Sequence, residues 1–332
     1  MMKRVLQLFV LLLVLGVGFS AAAEDNKKYT LNLGTVAPPG TPWSKQLKSV
    51  KKRIEKASKG RIKVKLFLGT AGGEKSIVRQ TKRGELQGMG VSAGAMATLV
   101  PEMNVFELPY LFSSAKEADK IIDNHLYTPV QELLRQYGFE LYLFGENGYR
   151  NFAAKGKCIE KPQDLADLKM RSQESWVHEE MYRALGGNPV RIAVPETLPA
   201  LQTGNVQGFD NTPLFAFAAS WYQAVDHWTV SNHIYQPALV VYNKAWFDKL
   251  PDDLQKVLLA ERKKETEYGR KLVRALQPKL VKNLKAAGMT VCELDSKQKK
   301  AFAKDAKKVH ELFRKRAGKK GAKLLDIVQK HN

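Results

Sequence analysis

The stretch Tyr29-Thr30-Leu31-Asn32-Leu33-Gly34-Thr35, followed by Pro38-Pro39-Gly40-Thr41-Pro42, decides the fold. Apolar residues at 29, 31 and 33 alternate with polar ones, as in a half-buried strand. Pro38-Pro39-Gly40 breaks the strand. Thr41 is placed to cap a helix, and Pro42 takes its first position, where a missing N–H is no loss. That helix is expected to run to about Ser58, ending at Gly60. Ile62 to Leu68 alternates again, and the glycine-rich loop Gly69 to Gly73 leads into a helix over Lys75 to Arg83. Met89 to Ser92 then reads as a short strand. Strand, helix, strand, helix, strand in that order predicts an α/β fold, a sheet with helices packed on its faces.

Further helices are expected around Ala115 to Asn124 and Thr128 to Tyr137, then a strand from Phe139 to Phe144. A second α/β stretch begins near Asn147. In it Leu168-Lys169-Met170-Arg171 reads as a short strand ending on arginine, and Val177 to Leu185 as a helix stopped by Gly186-Gly187. Glu196 to Gln202 is a further helix, with Pro199 tolerable in its first turn, and Val206 to Phe209 a strand. Ala238 to Tyr242 reads as a strand returning toward the first lobe. Leu254 to Leu284 is long and helical, interrupted at Gly269 and Pro278. No repeat or low-complexity linker separates the parts, so two lobes are expected to be joined by crossing strands and a long helix.

The N-terminus places the chain outside the cytoplasm. Met1-Met2-Lys3-Arg4 is positive, Val5 to Phe19 is almost wholly apolar, and Ser20-Ala21-Ala22-Ala23 supplies small residues. This is the pattern of a secretory signal. The apolar run of about 15 residues is short of the roughly 20 that span a bilayer. Cleavage near Ala23 would leave a mature chain from about Glu24, free in a bacterial periplasm. With no cysteine near the cleavage point, a lipid anchor is not expected. The 309 residues that remain (332 − 23) suffice for two lobes.

A 44% apolar share beside 26% charged residues describes a globular chain. Export permits a bridge between the two cysteines, Cys158 and Cys292, but the sequence does not show that they meet. The formal charge of +21 is concentrated late, in runs such as Arg262-Lys263-Lys264, Lys299-Lys300 and Arg314-Lys315-Arg316. These runs alternate with Leu, Val and Ala at helical spacing and carry few aromatics for base stacking. They therefore read as solvated helix faces and not as a nucleic-acid surface. Salt-sensitive adhesion to anionic surfaces is the reading they leave open.

Several motifs invite a chemistry that their context weakens. Gly90-Val91-Ser92-Ala93-Gly94 matches a G-x-S-x-G nucleophile elbow after a strand, with Asp210 and then His227 or His233 continuing the triad order. A periplasmic serine hydrolase using Ser92 is therefore the alternative function, although nothing in the sequence brings a histidine to Ser92. Gly69 to Ser76 resembles a phosphate loop, but Glu74 occupies the place of its last glycine and would repel phosphate. The histidines include no metalloprotease spacing, so no metal and no cofactor is expected.

Two arginines carry more weight. Glu146-Asn147-Gly148-Tyr149-Arg150 follows one strand and Arg171 closes the next, at strand ends where α/β folds place their ligand crevices. The planar donor fork of a guanidinium matches a carboxylate. Alone, a single arginine is ordinary material for a surface ion pair.

Around these arginines the chain resembles the DctP-type substrate-binding receptors of TRAP transporters. The resemblance rests on ordered blocks: Gly34-Thr35-Val36-Ala37-Pro38-Pro39-Gly40, Pro42-Trp43, Gly60-Arg61-Ile62-Lys63-Val64 and Gly72-Gly73-Glu74. Glu107-Leu108-Pro109-Tyr110-Leu111-Phe112, Asn147-Gly148-Tyr149-Arg150, Leu168-Lys169-Met170-Arg171, Ala200-Leu201-Gln202-Thr203-Gly204 and Asn211 complete them. It implies a non-enzymatic periplasmic solute receptor in which Arg171 grips the ligand carboxylate, Arg150 lies near the pocket and Asn211 supports the ligand. It also implies two lobes closing about a hinge and a membrane permease as partner. Residues 24–146 with about 237–276 are expected to form one lobe, and 147–236 with about 277–332 the other.

The chain departs from the family where Gln207-Gly208-Phe209-Asp210-Asn211 replaces the usual Asp-Gly-Gln-Glu-Asn. Val36, Ala95 and Val194 also stand where sugar-acid receptors tend to place polar groups. With Trp176, Phe209, Phe215 and Trp221 near the anchor blocks, the expected ligand is a carboxylate with a substantial apolar part. Ser92 and Glu174 complete the expected lining.

Overall fold

The computed structural model describes residues 27–332, so the expected export signal and its cleavage point lie outside the described residues. The opening stretch folds as the pattern predicts, in the order β1 (Tyr29–Thr35), α1 (Pro42–Ala57), β2 (Ile62–Leu68), α2 (Glu74–Arg83) and β3 (Gly88–Ser92). Thr41 caps α1, its hydroxyl accepting the Ser44 N–H at 3.2 Å. Leu47, Val50 and Ile54 then form the buried stripe that seats α1 on the sheet.

Next come α3 (Ala93–Met96), a 3-10 segment Pro101–Glu107, α4 (Ala115–Ile121), a π-helical turn Ile122–Leu126 and α5 (Tyr127–Gln136). The two helices expected here form one run through the π turn. β4 (Phe139–Ala154) continues far beyond Phe144, because irregularities in its pairing absorb the Gly145-Glu146-Asn147-Gly148 break. Gly148 takes a φ of 102° at one of them, a conformation open mainly to glycine.

The chain continues through β5 (Lys169–Ser172), α6 (Trp176–Ala184), β6 (Asn188–Arg191), α7 (Val194–Gln202), β7 (Gly208–Asn211), α8 (Pro213–Ala218) and β8 (His227–Asn243). Because α7 starts at Val194, Pro199 falls beyond its first turn, inside the helix. α9 (Lys244–Phe247), α10 (Asp252–Leu259), α11 (Arg262–Ala286), β9 (Thr290–Glu293), α12 (Ser296–Arg316) and α13 (Gly318–His331) complete the fold.

The long helical stretch breaks at Glu261, where φ is 53°, and passes unbroken through Gly269 and Pro278. Gly269 serves a close approach instead. A Cβ there would lie 2.3 Å from the Gln46 amide, which donates to the Glu265 carbonyl at 2.7 Å and joins α1 to α11.

Among the described residues nine strands form one sheet in the order β2-β1-β3-β8-β4-β7-β5-β6, with β9 also beside β8. The antiparallel pair β4 and β8 runs its whole length, from Phe139 opposite Asn243 to Ala154 opposite His227. At one end β3 joins β8 over Ser92 to Gly88. At the other, β7 joins β4 over Asn151 to Ala154. Two halves therefore share two crossing strands, with α11 packed along β4 and reaching both α1 and α8. This is the two-halved α/β fold with crossing strands and a long helix that the sequence predicts.

Cys158 and Cys292 form a disulfide that ties the chain beyond β4 to β9, a pairing the sequence left open. α12 buries Phe302, Ala306, Val309 and Phe313 and exposes Lys300, Lys304, Lys307 and Lys308, so this late basic run is a solvated helix face. Among the described residues no helix is long and apolar enough to cross a membrane.

Candidate functional site

The ends of β1, β3, β5 and β7 converge on a cleft between the two halves, beside the point where β4 and β8 cross. The cleft encloses about 510 Å³ of space, open solvent at its mouth included. Thr35, Val36, Trp43, Glu74, Val91 and Ser92 line it from the N-terminal side. Arg150, Arg171, Gln173, Val194, Asn211 and Phe215 line it from the other, with Asn147 and Gln236 on the crossing strands.

The two arginines differ in charge balance. Arg150 is buried, and its Nε lies 2.5 Å from Asp210 Oδ2 while Nη2 donates to the Asp210 carbonyl at 2.6 Å. Its Nη1 donates to the amide oxygens of Gln173 and Gln236, each at 3.1 Å. Burial opposes the charge, but the Asp210 carboxylate outweighs it and holds the guanidinium above its usual pKa.

Arg171 is also only 1% exposed. Its Nε donates to the Ile192 carbonyl at 3.0 Å, and the guanidinium lies 5.0 Å from the centre of the Trp221 ring. Among the described residues no carboxylate forms an ion pair with it. Burial, then repulsion by Arg150, pushes its pKa down to about 10, which leaves it protonated at neutral pH. An uncompensated buried cation at the wall of a cleft is a site for an anion.

Asp210 is the centre of a buried polar group. Tyr182 donates to its Oδ1 at 2.9 Å, and His233 Nε2 lies 3.3 Å from Oδ2. Burial would raise its pKa, yet Arg150 and the two flanking histidines hold it well below the usual carboxylate range.

The segment that follows Arg171 joins the two halves through four polar pairs. Gln173 Nε2 donates to Ser92 Oγ at 3.0 Å, and Ser175 Oγ to Asn104 Oδ1 at 2.7 Å. His178 Nε2 meets Glu107 Oε2 at 2.6 Å, and Glu174 pairs with Lys75 at 3.7 Å. These contacts span the seam between the halves.

Ser92 is a cap and a bridge. Its Oγ accepts the Ala95 N–H at 3.1 Å and donates to Glu74 Oε2 at 2.8 Å. Asp210 and His233 are engaged with each other and with Arg150 and Ser231, and His227 pairs with Asp226. No histidine is among the partners of Ser92, so the hydrolase constellation is not assembled. Glu74, read in the sequence as an obstacle to phosphate and as part of the Gly72-Gly73-Glu74 block, receives both the N–H and the hydroxyl of Ser92. Burial raises its pKa against those bonds.

Arg171, Arg150, Asn211, Ser92, Val36 and Val194 thus meet in the cleft. Phe209 does not: two residues back from Asn211, it packs on Trp221 and Trp228 inside its half. Trp176 is stacked on Phe313 of α12, with Arg316 over its ring. Trp221 lies beneath Arg171, so of the four aromatics near the anchor blocks only Phe215 lines the cleft. Glu174, paired with Lys75, is not in this lining but borders a small adjoining pocket that shares Glu74, Arg171, Gln173 and Val194 with it. Gln173, Gln236, Thr35, Thr212 and Glu74 were missed. The one available signal was a polar Gln236 among the apolar residues of a strand.

The sequence profile of DctP, bacterial extracellular solute-binding protein family 7, matches residues 33–316. A solute-binding protein of Verminephrobacter eiseniae is 32% identical over 84% of this chain and 83% of its own. The 2,3-diketo-L-gulonate-binding periplasmic protein of Escherichia coli is 29% identical over 83% of this chain and 84% of its own. The crystal structure of a sugar acid binding protein of Advenella mimigardefordensis in complex with galactonate superposes with a TM-score of 0.87. It is 26% identical and covers 92% of this chain and 99% of that one.

Proposed function

The chain belongs to the DctP family of bacterial extracellular solute-binding proteins, a non-enzymatic family, and from that premise we propose a periplasmic receptor for a small monocarboxylic acid. Arg171 carries this reading: among the described residues it is the buried guanidinium in the cleft with no ion-pair partner, and its fork takes the ligand carboxylate. Arg150 is already neutralised by Asp210, and the carboxyl group of Glu74 stands on the opposite wall. A second carboxylate would meet no free cation and one acid, so dicarboxylates are disfavoured.

The remaining polar groups, Asn147, Gln173, Asn211 and Gln236, are amides and suit hydroxyl or keto oxygens. The apolar lining of Val36, Val194 and Phe215 accommodates a short aliphatic segment, less than four aromatics would have done. Galactonate, which the Advenella protein binds, has the single carboxylate and the hydroxyls of this chemistry but no aliphatic segment.

In this reading the mature chain starts near Glu24 in the periplasm and hands its ligand to a TRAP-type permease. Residues 24–146 with about 237–276, and 147–236 with about 277–332, turn about the crossing of β4 and β8. Binding energy from contacts on both sides favours the shut form. Mass spectrometry of small molecules released from the purified protein tests the ligand class, with a monocarboxylate expected. Thermal-shift comparison should find galactonate stabilising and succinate inert. Equal stabilisation by both acids would sink the monocarboxylate assignment.

A further inference from the structure

His178 projects from α6 into the seam between the halves and is fully buried. Its Nε2 lies 2.6 Å from Oε2 of Glu107, which belongs to the 3-10 segment of the N-terminal half. Its Nδ1 is buried without a hydrogen-bond partner and faces Asp210 Oδ2 of β7 at 3.7 Å. A neutral imidazole has one N–H and one lone pair. Placed between these two carboxylates, it must point the lone pair at one of them. A doubly protonated ring presents N–H to both. Glu107 also receives the Gly94 N–H at 2.6 Å and Gln236 Nε2 at 2.7 Å.

We infer that closing the two halves over an anionic ligand takes up one proton at His178, which acts as a positioning residue through Glu107 and Asp210. The inference rests on the reading of the protein as a receptor that closes on an acid. The link to the cleft is direct, because Gln236 and Asp210 bind the lining residue Arg150. Opening would part Glu107 from His178, since they belong to different halves.

The charged groups facing the ring come from every side. Glu107 and Asp210 favour its charge, Arg150 on β4 opposes it, and His233 on β8 and Tyr182 on α6 contact Asp210 from beyond. Burial and Arg150 work against protonation, but the contacts with Asp210 and Glu107 prevail and the pKa lies above the ordinary 6.5. For His233 burial prevails and the pKa falls, so a single proton is involved. A raised pKa in the closed form contributes affinity that is complete below 6.5 and is lost as pH rises through the raised value.

Calorimetric titration with galactonate from about pH 6 to about pH 8.5, in buffers of different ionisation enthalpy, tests this. Wild type should take up as much as one proton, its affinity falling with rising pH by at most about tenfold per unit. The slope should vanish in His178→Gln and persist in His310→Gln, whose ring meets the Pro109 carbonyl at 2.7 Å away from the cleft lining. Absence of proton uptake in wild type, or an unchanged slope in His178→Gln, would overturn the inference while leaving the receptor standing. Loss of galactonate binding in wild type at every pH would count against the receptor reading. In that case NMR titration of the His178 ring decides: a pKa above 6.5 supports the proton site, and one at or below 6.5 rejects it.

Discussion

Asp210 holds Arg150 through a contact of 2.5 Å between Oδ2 and Nε, while Arg171, on the other side of β7 in the sheet, has no carboxylate of its own. Two buried arginines in one cleft therefore do different work. One charge is balanced within the fold, and the other is left for the ligand.

Removing each charge should have opposite effects on stability. Asp210→Asn leaves Arg150 buried without its counter-ion, and the unfolding free energy should fall by about 3–5 kcal/mol in chemical denaturation. Arg171→Met removes an uncompensated buried charge, so the ligand-free protein should hold its stability or gain. Similar losses in both variants would contradict this division.

The acid limb of stability should report Asp210. Its folded pKa is depressed well below 3.8. Its contribution is therefore present above the unfolded value and is lost as pH falls through the lower folded one. Stability of wild type measured by denaturant below about pH 4 should drop more steeply than that of Asp210→Asn. Parallel profiles would mean that another carboxylate sets the limb.

Gly269→Ala gives a test of the helix contact. In an exposed helix the change would stabilise by about 1 kcal/mol. Here the new methyl meets the Gln46 amide, and a loss of about 1–3 kcal/mol is expected. Adding Gln46→Ala should relieve most of it, which a double-mutant cycle measures.

The disulfide links residues 134 apart. By loop-closure entropy its removal should cost about 4–5 kcal/mol. The paired Cys158→Ser and Cys292→Ser variant should unfold at lower denaturant and still bind its acid, since neither cysteine lines the cleft.

The parts of this account that were legible in sequence are those with local causes. Alternation drew β1 to β3, and Thr41-Pro42 fixed the start of α1, because caps and strand periodicity act within a few residues. β4 was cut short at Phe144 because Gly145 to Gly148 has the composition of a turn, and only pairing with β8 carries a strand through it. The helix break went to Gly269 on intrinsic propensity, but that glycine answers to Gln46 on another helix. Arg171 was found because it ends a strand within a recognisable block. Asp210 was seen as a triad candidate and not as the counter-ion of Arg150, since 60 residues separate the pair. Trp176 and Phe209 were assigned to the cleft by nearness in sequence. Their rings turn instead to α12 and to Trp221.

Isothermal titration of galactonate into wild type and Arg171→Met bears most directly on the anchor. Binding to wild type and a loss of at least about 30-fold in the variant, from a buried charge pair of about 2–5 kcal/mol, is the predicted result. An unchanged affinity in Arg171→Met would show that the carboxylate is held elsewhere.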